Sequence, residues 1–99
     1  MNYAERPRPE PRFDLGRIVA TPGCLQALEE AGVSPVEYLC RHHRGDWGNL
    51  DDEDKAENEL SANRGFRILS AYTLPTGEKI WIITEADRSA TTLLLPEEY

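Results

Sequence analysis

Two thiols and two imidazoles near the middle of the chain are the residues best suited to chemistry. Cys40, His42 and His43 fall within four residues, and Cys24 and Asp46 lie nearby in the sequence. A structural zinc site needs four such ligands at ordered spacing, commonly as two Cys-x-x-Cys pairs. The chain has only two cysteines and no such pair. The pattern therefore predicts no metal site and no cofactor, and it favours both cysteines as small core residues.

An imidazole that titrates near neutral pH can also act as a general base. In a metal-free ribonuclease it would deprotonate a 2′-hydroxyl while a cation held the phosphate. The candidate catalytic residues for that alternative, which Asp46 would join, are His42, His43, Arg67, Thr84 and Arg88. The interpretation that we favour has no catalytic residue, with His43 packed under the sheet and His42 in solvent. The chain has no phosphate-binding glycine loop and no nucleophile elbow.

A dense acidic segment follows the histidines. Residues 46–59 hold seven acids and one lysine, Lys55. Such a segment can imitate a phosphate backbone and occupy a basic groove, and a neighbouring tryptophan can anchor the contact. We therefore predict a binding surface made of Trp47, Asp51, Asp52, Asp54, Glu57 and Glu59. The alternative is a solvated helix face whose acids merely suit a helix N-terminus.

The overall charge of the chain indicates which classes of partner it can bind. The net charge is −7, which disfavours direct binding to nucleic acid, because phosphate contacts need clustered Lys and Arg. It suits a basic protein partner or a nucleoprotein complex. No apolar run approaches the roughly 20 residues of a membrane helix. With no export signal at the N-terminus, we expect a cytoplasmic protein with reduced thiols and no membrane contact.

These residues must be positioned by a small domain. A length of 99 residues, 39% of them hydrophobic, predicts one globular domain over residues 13–99. Arginines and prolines alternate in residues 1–12, which predicts a disordered or extended arm. A short strand is predicted within residues 13–20.

Three helices are predicted from their boundary signals. Thr21-Pro22 starts the first helix and Gly32 ends it, while Ser34-Pro35 starts the second and Gly45 ends it. These two should form a tight αα-hairpin. In the second helix, the apolar face is predicted to be Val36, Leu39, Cys40 and His43. A third helix should run from Asp51 to about Asn63, with a thin apolar side at Ala56 and Leu60.

The segment from Phe66 to Glu85 reads as a β-hairpin turning at Thr76-Gly77. A two-residue turn there would pair Tyr72 with Trp81 and Ser70 with Ile83. Tyr72 and Trp81 would then share one apolar face, which could serve as a homodimer contact. A third strand, Thr91–Leu95, should return antiparallel to the second.

The predicted fold class is therefore α+β, with an αα-hairpin and a third helix packed on a three- to four-stranded antiparallel meander. Lys79–Glu85 should be the central strand. The positions expected to be buried are Leu25, Leu28, Val36, Leu39, Leu69, Ile80 and Ile82.

Three stretches of the chain resemble a family of small bacterial proteins found on plasmids and phages. They are FDLGRIVATPG, RHHRGDWGNLDDEDKAEN, and RILSAY followed by GEKIWIITEADRSATTLLLPEEY. The resemblance implies an accessory role on a mobile element and supplies no catalytic residues. With the acidity, it favours a non-enzymatic protein that binds another protein, such as an inhibitor of an anti-CRISPR or anti-restriction type. The alternative is a small metal-independent ribonuclease or toxin with a RelE-like or barnase-like fold.

Overall fold

A computed structural model describes residues 10–99. It contains three helices, α1 (Pro22–Ala31), α2 (Pro35–His43) and α3 (Asp52–Arg64), and four strands, β1 (Arg17–Ala20), β2 (Ile68–Thr73), β3 (Lys79–Thr84) and β4 (Ala90–Leu94). A single 3₁₀ turn, Pro96–Glu98, follows β4. The predicted α+β class is confirmed. Residues 1–9 of the predicted arm lie outside the described residues.

All three helices begin at the residues that the sequence predicts. The hydroxyls of Thr21 and Ser34 accept hydrogen bonds from the backbone N–H groups of Cys24 and Val36, so each residue caps its helix. The Asp51 carboxylate does the same for α3 by accepting the N–H of Asp54 at 2.8 Å. Gly32 and Gly65 end α1 and α3, as helix C-termini commonly require. Helix boundaries are thus set by local signals.

The strands form one sheet in the order β1-β4-β3-β2. β2, β3 and β4 make the predicted antiparallel meander, with β3 between the other two. β1 is the predicted short strand, and it joins the sheet parallel to β4. β1 therefore precedes the three helices in the sequence, and the meander follows them.

The predicted register of the hairpin is wrong by one residue. Tyr72 pairs with Ile80, and Ala71 pairs with Trp81. The loop has three residues, because the N–H of Leu74 donates to the carbonyl of Glu78 while Gly77 takes a φ of 92°. Pro75 favours the first central position of a type I turn, and glycine then supplies the left-handed residue that closes a three-residue loop.

The shift in register moves one strand's side chains to the opposite face. Tyr72 lies on the inner face of the sheet with Ile80 and Ile82, whereas Trp81 lies on the outer face with Ile83. The predicted face shared by Tyr72 and Trp81 is therefore wrong, because the two side chains lie on opposite faces of the sheet.

The core lies between the inner face and the helices α1 and α2. Its buried residues are Cys24, Ala27, Leu28, Tyr38, Tyr72, Leu74, Ile80, Ile82 and Leu93. Leu28, Ile80 and Ile82 are thus buried as predicted, and Leu39 and Leu69 are half-buried. Leu25 and Val36 are 46% and 61% exposed, so their predicted burial is wrong. The inward stripe of α1 runs through Cys24 and Leu28, which leaves Leu25 beside it.

The inward side of α2 also differs from the predicted one. Tyr38 and His42, one turn apart, are its buried residues, while Val36 faces solvent. His42 is buried and His43 is only half-buried, which reverses the predicted placement of the two histidines. The apolar pattern of the sequence does not predict that α2 buries His42. Histidine is a polar residue, and it is buried only where hydrogen-bond partners satisfy it, which the sequence does not show.

The outer edge of β2 is covered by the loop after α2 and by α3. Ala71 donates its N–H to the carbonyl of Trp47 and accepts the N–H of Asn49. The Asn58 side-chain amide donates to the carbonyl of Leu69 at 2.6 Å and accepts its N–H at 3.2 Å. Strand edges left open invite pairing with other chains, so this cover protects the sheet. It also explains why Asn58 is buried while the predicted apolar positions Ala56 and Leu60 are exposed.

Candidate functional site

His42 lies at the centre of a buried chain of hydrogen bonds. Its side chain has no exposed surface. Nδ1 is 2.6 Å from the Ser70 hydroxyl, and Nε2 is 2.8 Å from the Thr84 hydroxyl. Ser70 and Thr84 are diagonal neighbours on the inner face of β2 and β3, and α2 places the imidazole above them. Both ring nitrogens are thus occupied by protein groups.

The chain continues beyond Thr84 and fixes the imidazole tautomer. The Thr91 hydroxyl donates to the carbonyl of Leu15 at 2.7 Å, because a carbonyl can only accept. The hydrogen in the 2.7 Å contact between Thr84 and Thr91 must then come from Thr84. Thr84 therefore accepts from Nε2–H of His42, and Nδ1 accepts from Ser70. With a neutral imidazole, each side chain in this series has a partner for its hydrogen bond, which is typical of a structural network.

Burial, together with the nearby charges of His43 and Arg88, lowers the pKa of His42 from its ordinary value of 6.5 to about 3. A general base must reach the proton that it removes. This imidazole has no exposed surface, and its one accepting nitrogen is already bonded to Ser70. The geometry therefore assigns His42 to the core of the fold.

The lowered pKa makes stability depend on pH. The unfolded chain takes up a proton at His42 near pH 6.5, whereas the folded chain does so only near pH 3. Between those values the unfolded state binds more protons, so stability falls as the pH drops through 6.5. We expect the free energy of unfolding to decrease by about 2 kcal/mol from this residue alone at pH 5, measured by urea denaturation.

Matched variants isolate this contribution. His43→Asn should keep the loss of stability between pH 7 and pH 5, whereas His42→Asn should lack it. An equal loss in both variants would assign the acid sensitivity to other groups.

Of the other candidate catalytic residues, one forms a hydrogen bond with the imidazole, and the two arginines bind other groups. Thr84 contacts His42 directly. The Arg88 guanidinium donates to the backbone carbonyls of Ser61 and Phe66, at 3.0 and 2.8 Å, and thereby ties the end of α3 to the sheet. Arg67 belongs to a different surface, where its guanidinium lies 5.4 Å from the centre of the Tyr99 ring.

His43 and Asp46 also make local structural contacts. The His43 ring packs edge-on against Phe13, with 5.8 Å between ring centres. The Asp46 carboxylate accepts from Arg41 Nε at 2.7 Å and from the N–H of Gly48 at 3.2 Å. These contacts give His43 and Asp46 structural roles in the described part of the chain.

The predicted acidic binding surface divides into two parts. Asp51, Asp52, Asp54 and Glu57 are all exposed around the first turns of α3. We call these four residues the acidic surface. None of them takes part in a salt bridge in the described part of the chain, where the pairs are Arg12–Glu59 and Arg41–Asp46. Among the described residues, their carboxylates are therefore presented to solvent outside any salt bridge.

Trp47 and Glu59 are engaged inside the protein. The Trp47 side chain is buried, with a residue exposure of 3%, and its Nε1 donates to Glu59 at 2.8 Å. Glu59 also binds the guanidinium of Arg12 at 3.1 Å, and Arg12 lies over the indole ring. The last residue of the predicted arm is thus fixed to α3, and Trp47 seals the edge of the core as an interior contact.

Sequence reasoning missed the two residues that shape the neighbourhood of the acidic surface. Asn58 carries no charge and no sequence prediction concerns it, yet it attaches α3 to β2. Trp81 was assigned to the same face as Tyr72, whereas it borders the groove beside α3. An asparagine within an otherwise charged and exposed helix face was the available signal for the first.

Comparison with known proteins adds no residue to this site. No protein-family model, curated protein or solved structure matches the chain. The resemblance to plasmid and phage proteins therefore remains a prediction. Within residues 10–99, no cluster of three or more His, Cys, Asp or Glu side chains could hold a metal ion. None of the helices in that range is long and apolar enough to cross a membrane.

Proposed function

We propose that this protein is a non-enzymatic binding protein that acts through the acidic surface. Its partner is a basic protein or a nucleoprotein complex, and the role that suits it is that of a mobile-element accessory protein inhibiting a host defence system of the CRISPR or restriction type. The observation that carries the proposal is the set of exposed carboxylates of Asp51, Asp52, Asp54 and Glu57, which have no basic partner in the described residues.

The net charge of the chain and the ordered start of α3 both support this proposal. The net charge of −7 repels nucleic acid and attracts a basic surface over about 8 Å at physiological ionic strength. The acids begin at the helix cap Asp51, so the backbone that presents them is ordered. A negatively charged ridge of this kind can occupy a groove that normally holds phosphates.

The alternative function, a metal-independent ribonuclease, needs an accessible base. His42 is sealed, and Arg67 lies beside Tyr99 rather than beside the imidazole. We expect no cleavage of mixed RNA by the purified protein in EDTA, measured against a protein-free blank by gel electrophoresis.

The control for that experiment uses accessible residues, so that loss of folding does not confuse the result. His43→Ala with Arg67→Ala removes a half-buried imidazole and an exposed guanidinium. Cleavage by the wild type that disappears in this double variant would establish the ribonuclease function and overturn the proposal.

A further inference from the structure

One edge of the sheet is open in the described part of the chain. β1 is the outermost strand, and among residues 10–99 it pairs with β4 alone. The opposite edge, β2, is covered by the Trp47–Asn49 loop and by the side chain of Asn58. An open edge presents backbone N–H and C=O groups that can pair with another strand. β1 is therefore the place at which this sheet can be extended.

The backbone of β1 points alternately towards the sheet and towards the open edge. Arg17 and Thr21 donate their N–H groups to carbonyls of the neighbouring segment 89–93, each over 3.0 Å. Backbone groups of successive residues point to opposite sides of a strand, so the N–H and C=O groups of Ile18 and Ala20 point outward. Two residues of β1 thus offer a donor and an acceptor each to a further strand.

The side chains of β1 leave apolar surface in solvent. Ile18 is 52% exposed and Val19 is 42% exposed. Val19 lies beside Thr92 on the outer face, whereas Ala20 packs against the core from the inner face. Because side chains alternate along a strand, Ile18 shares the inner face with Ala20. A further strand at this edge would remove apolar surface from water on both faces, which favours pairing.

A second copy of β1 fits this edge in the antiparallel direction. A two-fold axis at Val19 places this residue opposite its own counterpart, in a non-hydrogen-bonded pair with Cα atoms about 4.5 Å apart. Ile18 then lies opposite Ala20 of the second copy, so a large side chain meets a small one on each side of the axis. The outward backbone groups of these two residues form four hydrogen bonds between the copies.

The charges at the ends of β1 are complementary in the same register. Arg17 lies opposite Thr21 of the second copy in this arrangement. The Thr21 hydroxyl donates to the carboxylate of Glu98 at 2.6 Å, so an exposed carboxylate is held beside that position. Neither Arg17 nor Glu98 forms a salt bridge within residues 10–99. Each end of the paired strands therefore brings a guanidinium to a carboxylate.

We propose that the protein forms a homodimer in which two β1 strands pair antiparallel about Val19 and join two four-stranded sheets into one. The inference is independent of the proposed function, because α3 is attached to β2 at the opposite edge of the sheet. The acidic surface of each copy stays accessible in the dimer. β1 has only four residues, so the interface is small and the dimer dissociates on dilution.

The first test measures the dimer by sedimentation velocity at protein concentrations from about 10 µM to about 1 mM. We expect the wild type to change from monomer to dimer over this range. Val19→Lys should weaken dimerisation about tenfold, because it sets two like charges against each other at the axis. The control is Val36→Lys, which changes an exposed valine on α2 and should stay within about twofold of the wild type. A wild type that remains monomeric, or equal effects of the two substitutions, would overturn the proposal.

A charge reversal tests the register. Arg17→Glu places a carboxylate beside Glu98 of the second copy and should weaken the dimer about tenfold. Arg64→Glu changes the net charge by the same amount at the exposed end of α3, and it should weaken the dimer less than about threefold. Equal weakening by both would contradict the ion pairs and with them the proposed pairing of the strands.

Amide hydrogen exchange locates the contact. We expect the N–H groups of Ile18 and Ala20 to exchange about fivefold more slowly at the concentration of the dimer than at that of the monomer, since only the dimer supplies their acceptors. The N–H of Arg17 already donates to a carbonyl of its own chain, so its exchange should change less. Protection that appears elsewhere while Ile18 and Ala20 exchange as in the monomer would place the dimer contact on another surface and overturn the proposal.

Discussion

Replacing His42 with alanine should lower the free energy of unfolding by about 3–5 kcal/mol. The substitution opens a cavity under the sheet and leaves the buried hydroxyls of Ser70 and Thr84 without their partner. Each buried polar group that loses its hydrogen bond costs about 1–3 kcal/mol, and the lost packing adds to this. Urea denaturation followed by circular dichroism at pH 7 measures the change.

The neighbouring histidine provides the control for this prediction. His43→Ala removes a half-buried ring that contacts Phe13 at its edge, so a loss of about 1 kcal/mol is expected. Similar losses for both variants would show that the hydrogen-bonded chain through His42 does not stabilise the core. That result would reopen a functional role for the imidazole.

Replacing Gly48 with alanine should destabilise the protein by about 2–5 kcal/mol. Gly48 has a φ of 77°, a conformation that costs a residue with a Cβ about 1–2 kcal/mol. A Cβ at this position would also overlap the carbonyl oxygen of Ala71 and approach Tyr72 Cδ1 to 2.7 Å. The segment that covers the edge of β2 would have to move away.

Gly65 is a matched control, since its φ is also 77° but a Cβ there would have no atom within 4 Å. Gly65→Ala should therefore show only the conformational cost of about 1–2 kcal/mol. The difference between the two variants measures the tight approach of the Trp47–Asn49 loop to β2. Equal destabilisation would mean that this loop does not pack against the strand in solution.

The helices could be predicted because their boundaries depend on neighbouring residues. Thr21-Pro22, Ser34-Pro35 and Asp51 each cap a helix through atoms within three residues of themselves. The hairpin was harder, because Pro75-Thr76-Gly77 is compatible with loops of two or three residues. One residue of difference moved Tyr72 from the outer face to the core.

The candidate site depended on contacts that the local sequence does not reveal. Ser70 and Thr84 are 28 and 42 residues away from His42, and they decide that this histidine, rather than His43, is buried. Asn58 and Leu69 are likewise joined only by folding. The exposed acids could be predicted, since a run of carboxylates after a helix cap is rarely buried.

The central claim is that the acidic surface makes the functional contact. Its test compares two triple variants that raise the net charge by the same amount. Asp51→Asn, Asp52→Asn and Asp54→Asn change the acidic surface, and the cap is kept because asparagine caps a helix as well as aspartate does. The control changes three exposed acids elsewhere, Glu29→Gln, Glu37→Gln and Glu85→Gln.

The measurement is the association rate constant of each triple variant with the partner captured from host lysate by the wild type, over a range of salt concentrations. We predict that the variant of the acidic surface associates roughly tenfold more slowly at low salt and loses most of its salt dependence. The control variant should stay within about twofold of the wild type under the same conditions. Association of the acidic-surface variant at the wild-type rate, or equal slowing of both variants, would contradict the claim.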